Sequence, residues 1–557
     1  MASAAIPVER PKGLKLLRLA LSNRKSACML GFGFSSGLPY ALLIGTLNAW
    51  LGEVGVKMAM IGVLSWIGLS YSFKFLWSPL IDRMPLPGLE ALGRRKSWIL
   101  LCQITLVASF VGIALTDPGQ AIGRFALFAF LGALASATQD VAIDAWRIDV
   151  ADEQVPVELL SPIYQFGYRI ASIVGGALAL VMAARMSWSA VFALMAVLVV
   201  LMMVVTARAP DTPRPEKSAM HADLVEPGAL APRARALALV IVGAGWLWAI
   251  GRLLGFMITV LNPEAGAKPP SVADFTKSNA PLIVTLTVVV PLVVAATTNW
   301  LKARKRMILT AADPRQSALR TAGNHLYSAL VVPLAELAGR LGWGVLILIG
   351  LILTYTLCYN VWVSFAFPFY LEELKYSKDE VAFASKVFGI VMTMLGISLG
   401  GFLFARIGRM PTILIGALLP ILGNFAYADL AQGGHVIDAI TVPLFGWLGA
   451  EPRIMRLLTA ISIENISTGL AGAAFVAYLS GIVSKQYTAV QYALLSSLTF
   501  LIGGLGRGIA GEKIDQYGYA PVFIATAGFG LVSVLFVVLE WVRVAREQAR
   551  LNRESRG

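Results

Sequence analysis

Long apolar runs alternate with short polar connections along almost the whole chain. Fourteen runs approach or exceed the roughly 20 residues that a helix needs to cross a bilayer. They cover 26–50, 59–80, 97–116, 122–147, 160–183, 188–206, 236–261, 281–301, 343–371, 379–404, 411–429, 457–483, 487–509 and 519–542. In lipid no water can satisfy a free backbone N–H or C=O, so each run is read as a helix. The spacing predicts six helices, an interposed pair, then six more. The fold class is therefore an all-α membrane protein of two six-helix bundles and two interposed helices.

Composition supports this and excludes a soluble chain. Of 557 residues, 57% are hydrophobic and 14% charged, with a mean hydropathy of +0.73. Soluble domains carry about 25% charged residues. The net charge of +14 raises the question of a nucleic-acid partner. The basic residues sit between apolar runs, however, so no nucleic acid is expected. With both termini placed in the cytoplasm, 31 of the 46 Lys and Arg residues lie inside and 11 outside. That excess orients the helices. It yields a basic tail (1–25), a first bundle (26–206), a linker region (207–342), a second bundle (343–542) and a C-terminal tail (543–557). The linker holds the extra helices 236–261 and 281–301 and a basic loop, 302–342. Two extra helices let both bundles start from the same side, as parallel repeats do. Cys28, Cys102 and Cys358 lie inside apolar runs and read as small hydrophobes. His221, His325 and His435 are dispersed in polar connections. No metal site or cofactor is expected, nor an obligate protein partner.

Two loop signatures repeat. After the second helix come Asp82-Arg83 and then Gly93-Arg94-Arg95-Lys96. At the matching place in the second bundle stands Gly401-Phe402-Leu403-Phe404-Ala405-Arg406-Ile407-Gly408-Arg409. Both resemble the major-facilitator loop G-x-x-x-D-R-x-G-R-R, the first with an insertion and the second with alanine for the aspartate. An aspartate there can pair with basic groups or a helix N-terminus and latch a gate. The gating candidates are Asp82, Arg83, Arg94, Arg95, Arg147, Arg406 and Arg409.

Ionisable residues inside apolar helices are costly and usually functional. Corresponding helices of the two halves each carry a lysine and a carboxylate: Lys74 with Asp140 and Asp144, then Lys386 with Glu464. Asp140, Asp144 and Arg147 fall at i, i+4 and i+7, one helical face. A buried lysine–carboxylate pair can bind and release a proton as its surroundings change. These five residues are the proton-coupling candidates; a purely structural ion-pair network is the alternative. The first helix reads Gly31-Phe32-Gly33-Phe34-Ser35-Ser36-Gly37-Leu38-Pro39-Tyr40. Its small residues suit either a flexible cavity wall or tight packing. The substrate-binding candidates are Gly33, Ser35, Ser36, Gly37, Tyr40, Gln139, Gln165, Tyr168, Arg169, Asn360, Asn465 and Gln491. Hydrogen-bonding groups with aromatic faces suit sugars and peptides.

Several segments in order resemble the AmpG permeases of the major facilitator superfamily. They are Gly33 to Pro39, Ala137-Thr138-Gln139-Asp140, Asp144-Ala145-Trp146-Arg147, Gly167-Tyr168-Arg169, Ser385-Lys386-Val387-Phe388-Gly389, Glu464-Asn465, Ala473-Ala474-Phe475-Val476-Ala477 and Gln491 to Ser497. The resemblance implies the major facilitator fold with fourteen helices. It implies inward transport of N-acetylglucosaminyl-1,6-anhydro-N-acetylmuramyl peptides across the bacterial inner membrane, driven by protons. It further implies a part in peptidoglycan recycling and β-lactam resistance, and carries a substrate role to the first-helix glycines and Gln139-Asp140. The partners implied are the muropeptide, protons and the lipid bilayer. A carrier of another solute, acyl-coenzyme A or a sugar, stays open, as does a membrane-embedded enzyme. The expectation is that the chain is not an enzyme.

Overall fold

The computed structural model describes residues 23–557 apart from 78–80, 82–85, 87, 89–91, 153–154, 156, 212–231, 263–269, 304–326, 328–330, 446, 448, 450, 484–490, 492–493, 497 and 555–557. The described residues are helical throughout and include no strand. The helices are α1 (Arg24–Glu53), α2 (Met58–Tyr71), α3 (Arg94–Ala114), α4 (Ile122–Val150), α5 (Ile163–Ala183), α6 (Trp188–Arg208), α7 (Arg233–Leu261) and α8 (Val272–Leu301). After the short α9 (Val332–Leu341) come α10 (Gly344–Glu373), α11 (Lys378–Phe404), α12 (Arg409–Ala431), α13 (His435–Leu444), α14 (Pro452–Leu479), α15 (Leu494–Tyr517) and α16 (Tyr519–Arg550). Thirteen of these are long and apolar enough to span a membrane, and the shorter α2 occupies the remaining expected span.

Three differences from the sequence pattern have physical reasons. α2 is interrupted by a tight 3-10 turn at Ser65–Gly68 and followed by another at Lys74–Leu76, so its regular helix is shorter than its apolar run. α15 was expected at 487–509 and runs instead to Tyr517. Hydropathy underrated its polar end, where Arg507 is buried and donates from Nε to the Asn360 carbonyl at 2.9 Å. The connection expected over 430–456 contains the apolar helix α13, whose Asp438 pairs with Arg456 at the start of α14.

Helix starts follow local chemistry. The Asn23 side chain accepts from the Lys25 amide at 2.8 Å. Ser377 and Glu380 form a reciprocal capping box at the start of α11. The two repeated loop motifs share one backbone device: Gly93 (φ +81°) and Gly408 (φ +86°) each directly precede the first arginine of a helix. A side chain at such φ is strained, which explains glycine at both places.

Two compact units emerge. One comprises residues up to Leu43, Leu80–Thr116 and Phe128–Pro215; the other comprises the rest. In the first unit, α1 lies against α5 with almost no gap. A Cβ on Gly33 would meet the Tyr164 carbonyl oxygen at 2.1 Å, and one on Gly167 would meet that of Leu30 at 2.1 Å. The second unit repeats the device: a Cβ on Gly396 of α11 would meet the Ile466 carbonyl oxygen of α14 at 2.3 Å, and one on Gly469 that of Thr393 at 2.4 Å. Close backbone approach of this kind drives helix association in lipid, where no hydrophobic force separates helix from solvent.

Candidate functional site

In the first unit, α1, α3, α4 and α5 converge on a buried polar cluster. Ser35, Ser36, Gln103 and Gln139 are all at most 1% exposed. Gln103 donates to the Ser35 hydroxyl at 3.0 Å and accepts from Thr206 at 2.9 Å. Gln139 donates to the Ser35 carbonyl at 2.9 Å. The Ser36 hydroxyl donates to the carboxylate of half-buried Asp140, and its oxygen receives the Tyr164 hydroxyl at 2.8 Å. One turn further along α4, Arg147 Nη2 donates to Asp144 at 3.0 Å, and its guanidinium lies 5.3 Å from the Tyr164 ring centroid. The predicted strip of two aspartates and an arginine on one face is present. Gly33 and Gly37 are packing positions against α5, at Tyr164 and Tyr168 respectively. Tyr40, 36% exposed, has its ring 6.4 Å from that of Tyr168. Gln165 and Arg169 are exposed, one turn apart on α5.

In the second unit, α10, α11, α12 and α14 build a matching arrangement. Tyr427 donates to the Glu464 carboxylate, and its phenol oxygen meets the Tyr370 hydroxyl. Tyr427 is fully buried and Tyr370 nearly so, while Glu464 is half-buried. Lys386 holds its ammonium 4.9 Å from the Phe367 ring centroid, a cation–π contact, and makes no ion pair with Glu464 within 4 Å among the described residues. Asn465 accepts from Thr393 at 2.9 Å and donates to the Ile461 carbonyl at 2.9 Å. Asn360 is buried and donates to Thr356 at 2.7 Å. Gln491 donates to Glu336 of α9 at 2.6 Å, so this side chain is tied to the linker region. Lys74 follows α2 and belongs to this unit.

The helix ends carry ionic fastenings. At the end predicted to face the cytoplasm, Arg95 (6% exposed) and Arg94 both reach Asp149, at 2.8 and 3.5 Å. Lys96 pairs with Asp211 and also donates to the Ala209 carbonyl at 3.1 Å. Asp82 and Arg83 lie outside the described residues. Arg406 is exposed; Arg409 sits 5.7 Å from the Tyr478 ring centroid. At the opposite end, in the second unit, Asp515 of α15 accepts from the amides of Met58 and Ala59 at 3.1 and 2.9 Å, capping α2. Glu53 pairs with Lys378 at 2.8 Å. A Cβ on Gly62 would lie 2.5 Å from the Arg507 carbonyl oxygen. Beside this junction, Tyr376 donates to the Arg453 carbonyl at 2.7 Å, and burial pushes its phenol up to about 12.

Sequence reasoning missed Asp149, Asp515, Tyr427, Tyr370, and a buried network in which Trp362 donates to Asn424 at 2.9 Å and Asn424 to Thr526 at 2.8 Å. It also missed Glu540, fully buried and held by Arg543 at 2.7 Å and Tyr478 at 2.7 Å. Tyr427 and Tyr370 had one available signal: both are polar aromatics within apolar runs. Asp149 and Asp515 had none, because their partners are remote in the chain, whereas Glu540 lies in an apolar run three residues before its partner Arg543.

Membrane-length helices that hold carboxylates and cations within apolar bundles define a multi-pass membrane protein. The model of the Major Facilitator Superfamily matches residues 26–312, just over half of the chain, and the chain belongs to that superfamily. Similarity to named permeases extends further. An Escherichia coli (strain K12) protein named anhydromuropeptide permease is 27% identical over 530 residues, covering 93% of this chain and 81% of that protein. A Rickettsia conorii protein named putative transporter AmpG 4 is 25% identical over 510 residues, covering 91% and 94%. Among solved structures, a POT peptide transporter in complex with sulfate aligns with a TM-score of 0.57 at 12% identity, covering 96% of this chain and 99% of the other. The nucleoside transporter NupG aligns at 0.54 and 11% identity, covering 95% and 99%. These structures share the fold.

Proposed function

We propose that this chain is a proton-coupled permease of the bacterial inner membrane that carries anhydro-muropeptides from periplasm to cytoplasm for peptidoglycan recycling. The observation that carries the substrate assignment is similarity over nine-tenths of the chain to a protein named anhydromuropeptide permease. Both termini lie in the cytoplasm, as the charge asymmetry favours. The bundles 26–206 and 343–542 move against each other, with 207–342 interposed. Asp140 and Glu464 are the proton-binding groups, aided by Asp144, Lys74 and Lys386. Support comes from chemistry: each carboxylate lies inside an apolar bundle and accepts from a hydroxyl, Asp140 from Ser36 and Glu464 from Tyr427, a setting in which the cost of carrying charge changes with access to water. Exposed Arg169, with no ion pair among the described residues, takes a substrate carboxylate as a charge-assisted contact. Gln165, Tyr168 and Tyr40 supply hydrogen bonds and aromatic faces beside it. Ser35, Ser36 and Gln139 set the position of Asp140. Arg94 and Arg95 with Asp149, and Arg147 with Asp144, fasten the inner gate; Arg406 and Arg409 serve the same side.

The test is complementation of a permease-null strain. Wild-type chain is expected to stop loss of muropeptides to the medium and to accumulate labelled anhydro-muropeptide in energised vesicles. No accumulation, or full competition by acetyl-coenzyme A or free sugar, would overturn the substrate assignment. Uptake by Asp140→Asn is expected to fall roughly ten- to a hundredfold, the worth of a hydrogen bond to a charged group.

A further inference from the structure

An apolar groove of about 840 Å³ opens on the second unit between α8, α15 and α16. One stripe of α15 forms a wall: Ile502, Gly506, Ala510 and Lys513 recur at helical spacing. The small residues hollow the wall, and the lysine ends it. From Lys513 to Ile502 the stripe is about 16 Å long at 1.5 Å per residue. That is one leaflet of a hydrocarbon core about 30 Å thick. On the facing side, α8 contributes Lys277 and Pro281, and α16 contributes Ala525 and Phe529. Both lysines stand at the same end of the groove, the end predicted to face outside, where few cations are found.

The cations there are available and the two acids beside Lys513 are engaged elsewhere, while exposed Asp274 lies one turn before Lys277 on α8. Lys277 is exposed and makes no ion pair among the described residues. Among the described residues Lys513 touches neutral groups alone, the Gln516 side-chain oxygen at 2.9 Å and the Tyr517 ring at 5.2 Å. Glu512 is turned to the Ala273 amide at 2.8 Å, and Asp515 caps α2. Tyr517, 65% exposed, stands where an interfacial aromatic would meet headgroups. A solute would meet almost no hydrogen-bonding group along the groove floor. A molecule with an acyl tail one leaflet long and a negative head fits both ends.

We infer that this groove is a binding site for an anionic phospholipid of the outer leaflet, its phosphate held between Lys277 and Lys513 and an acyl chain laid along α15. The bound lipid then joins the interposed helix α8 to the second bundle. Neither the substrate nor the proton site is involved, so the test reads lipid binding directly.

Purified full-length protein in a neutral detergent is offered equal amounts of phosphatidylglycerol and phosphatidylcholine with matched chains, and native mass spectrometry counts retained lipid. Phosphatidylglycerol is expected to be retained about tenfold or more over phosphatidylcholine, the order that two basic groups at an interface give. The double variant Lys277→Gln/Lys513→Gln is expected to lose this preference. Lys375→Gln, an exposed lysine that does not line the groove, is expected to keep it. Gly506→Phe fills the groove and should release both lipids; uptake activity checks that each variant is folded. Equal retention of the two lipids by wild type, an unchanged preference in the double variant, or an equal loss in Lys375→Gln would each overturn the site. So would a dimer whose contact runs through the groove and excludes lipid.

Discussion

Two carboxylates, one from each half, end the same kind of hydroxyl chain. Tyr164 meets Ser36, which donates to Asp140; Tyr370 meets Tyr427, which donates to Glu464. The halves differ in what surrounds this chain. Around Asp140, glutamines and a serine carbonyl complete a hydrogen-bonded cluster, and a second aspartate with its arginine follows one turn on. Around Glu464, the neighbours are two tyrosines and a lysine resting on Phe367. The first site is rich in directional partners, which hold Asp140 in one geometry. The second has few, and the free energy of its charge depends on one distant cation, which suits a group that exchanges a proton. Twofold architecture has thus been kept in backbone packing and in the hydroxyl chains, while the charges around them have diverged.

The largest expected effect breaks that comparison outright. Glu464→Gln should lower accumulation driven by an imposed proton gradient by roughly a hundredfold, the upper range for a charged hydrogen bond, yet leave exchange of labelled for unlabelled solute near wild type. If exchange falls equally, the two clusters do the same work and the division between them is wrong. Next in size is the packing beneath the first cluster. Gly33→Leu forces α1 away from the Tyr164 carbonyl and should destabilise the protein by about 1–3 kcal/mol, read as a lower melting temperature in detergent. Gly472→Leu, with no atom within 4 Å of the added Cβ, should leave melting unchanged. The smallest effect sharpens the role of the serine cluster. Ser35→Ala removes the hydroxyl that accepts from Gln103 and donates weakly to Gln139, and should raise the KM for uptake only a few-fold, in line with about 1 kcal/mol. A change as large as that at Glu464 would place Ser35 in direct charge of coupling.

Much of the fold was legible. Apolar run length located most of the thirteen spans to within about five residues, since lipid leaves a chain no other way to satisfy its backbone; α8 begins nine residues before its expected start. α15 was displaced because Arg507 and Lys513 lower its hydropathy, although one is buried by a carbonyl 147 positions away. Within the candidate site, Asp140, Asp144 and Arg147 were legible because they share one helix and one face. Ser36 was visible as a small polar residue, but its bond to Asp140 spans 104 positions and has no local mark. Gln491 looked available in an apolar run and is held by Glu336, 155 positions earlier.

By itself, then, the sequence determined that the chain spans a membrane many times, which residues carry charge into apolar helices, and where the two loop motifs repeat. Those properties are local: hydropathy, periodicity and the φ demanded of Gly93 and Gly408 act within a turn or two. Only the tertiary structure decided that Glu464 belongs to two tyrosines, that Arg95 belongs to Asp149, and that Lys277 and Lys513 stand together at one groove. Partners of a buried polar group are chosen by which helices pack together, and backbone approach at positions such as Gly33 and Gly396 sets that packing across long stretches of chain.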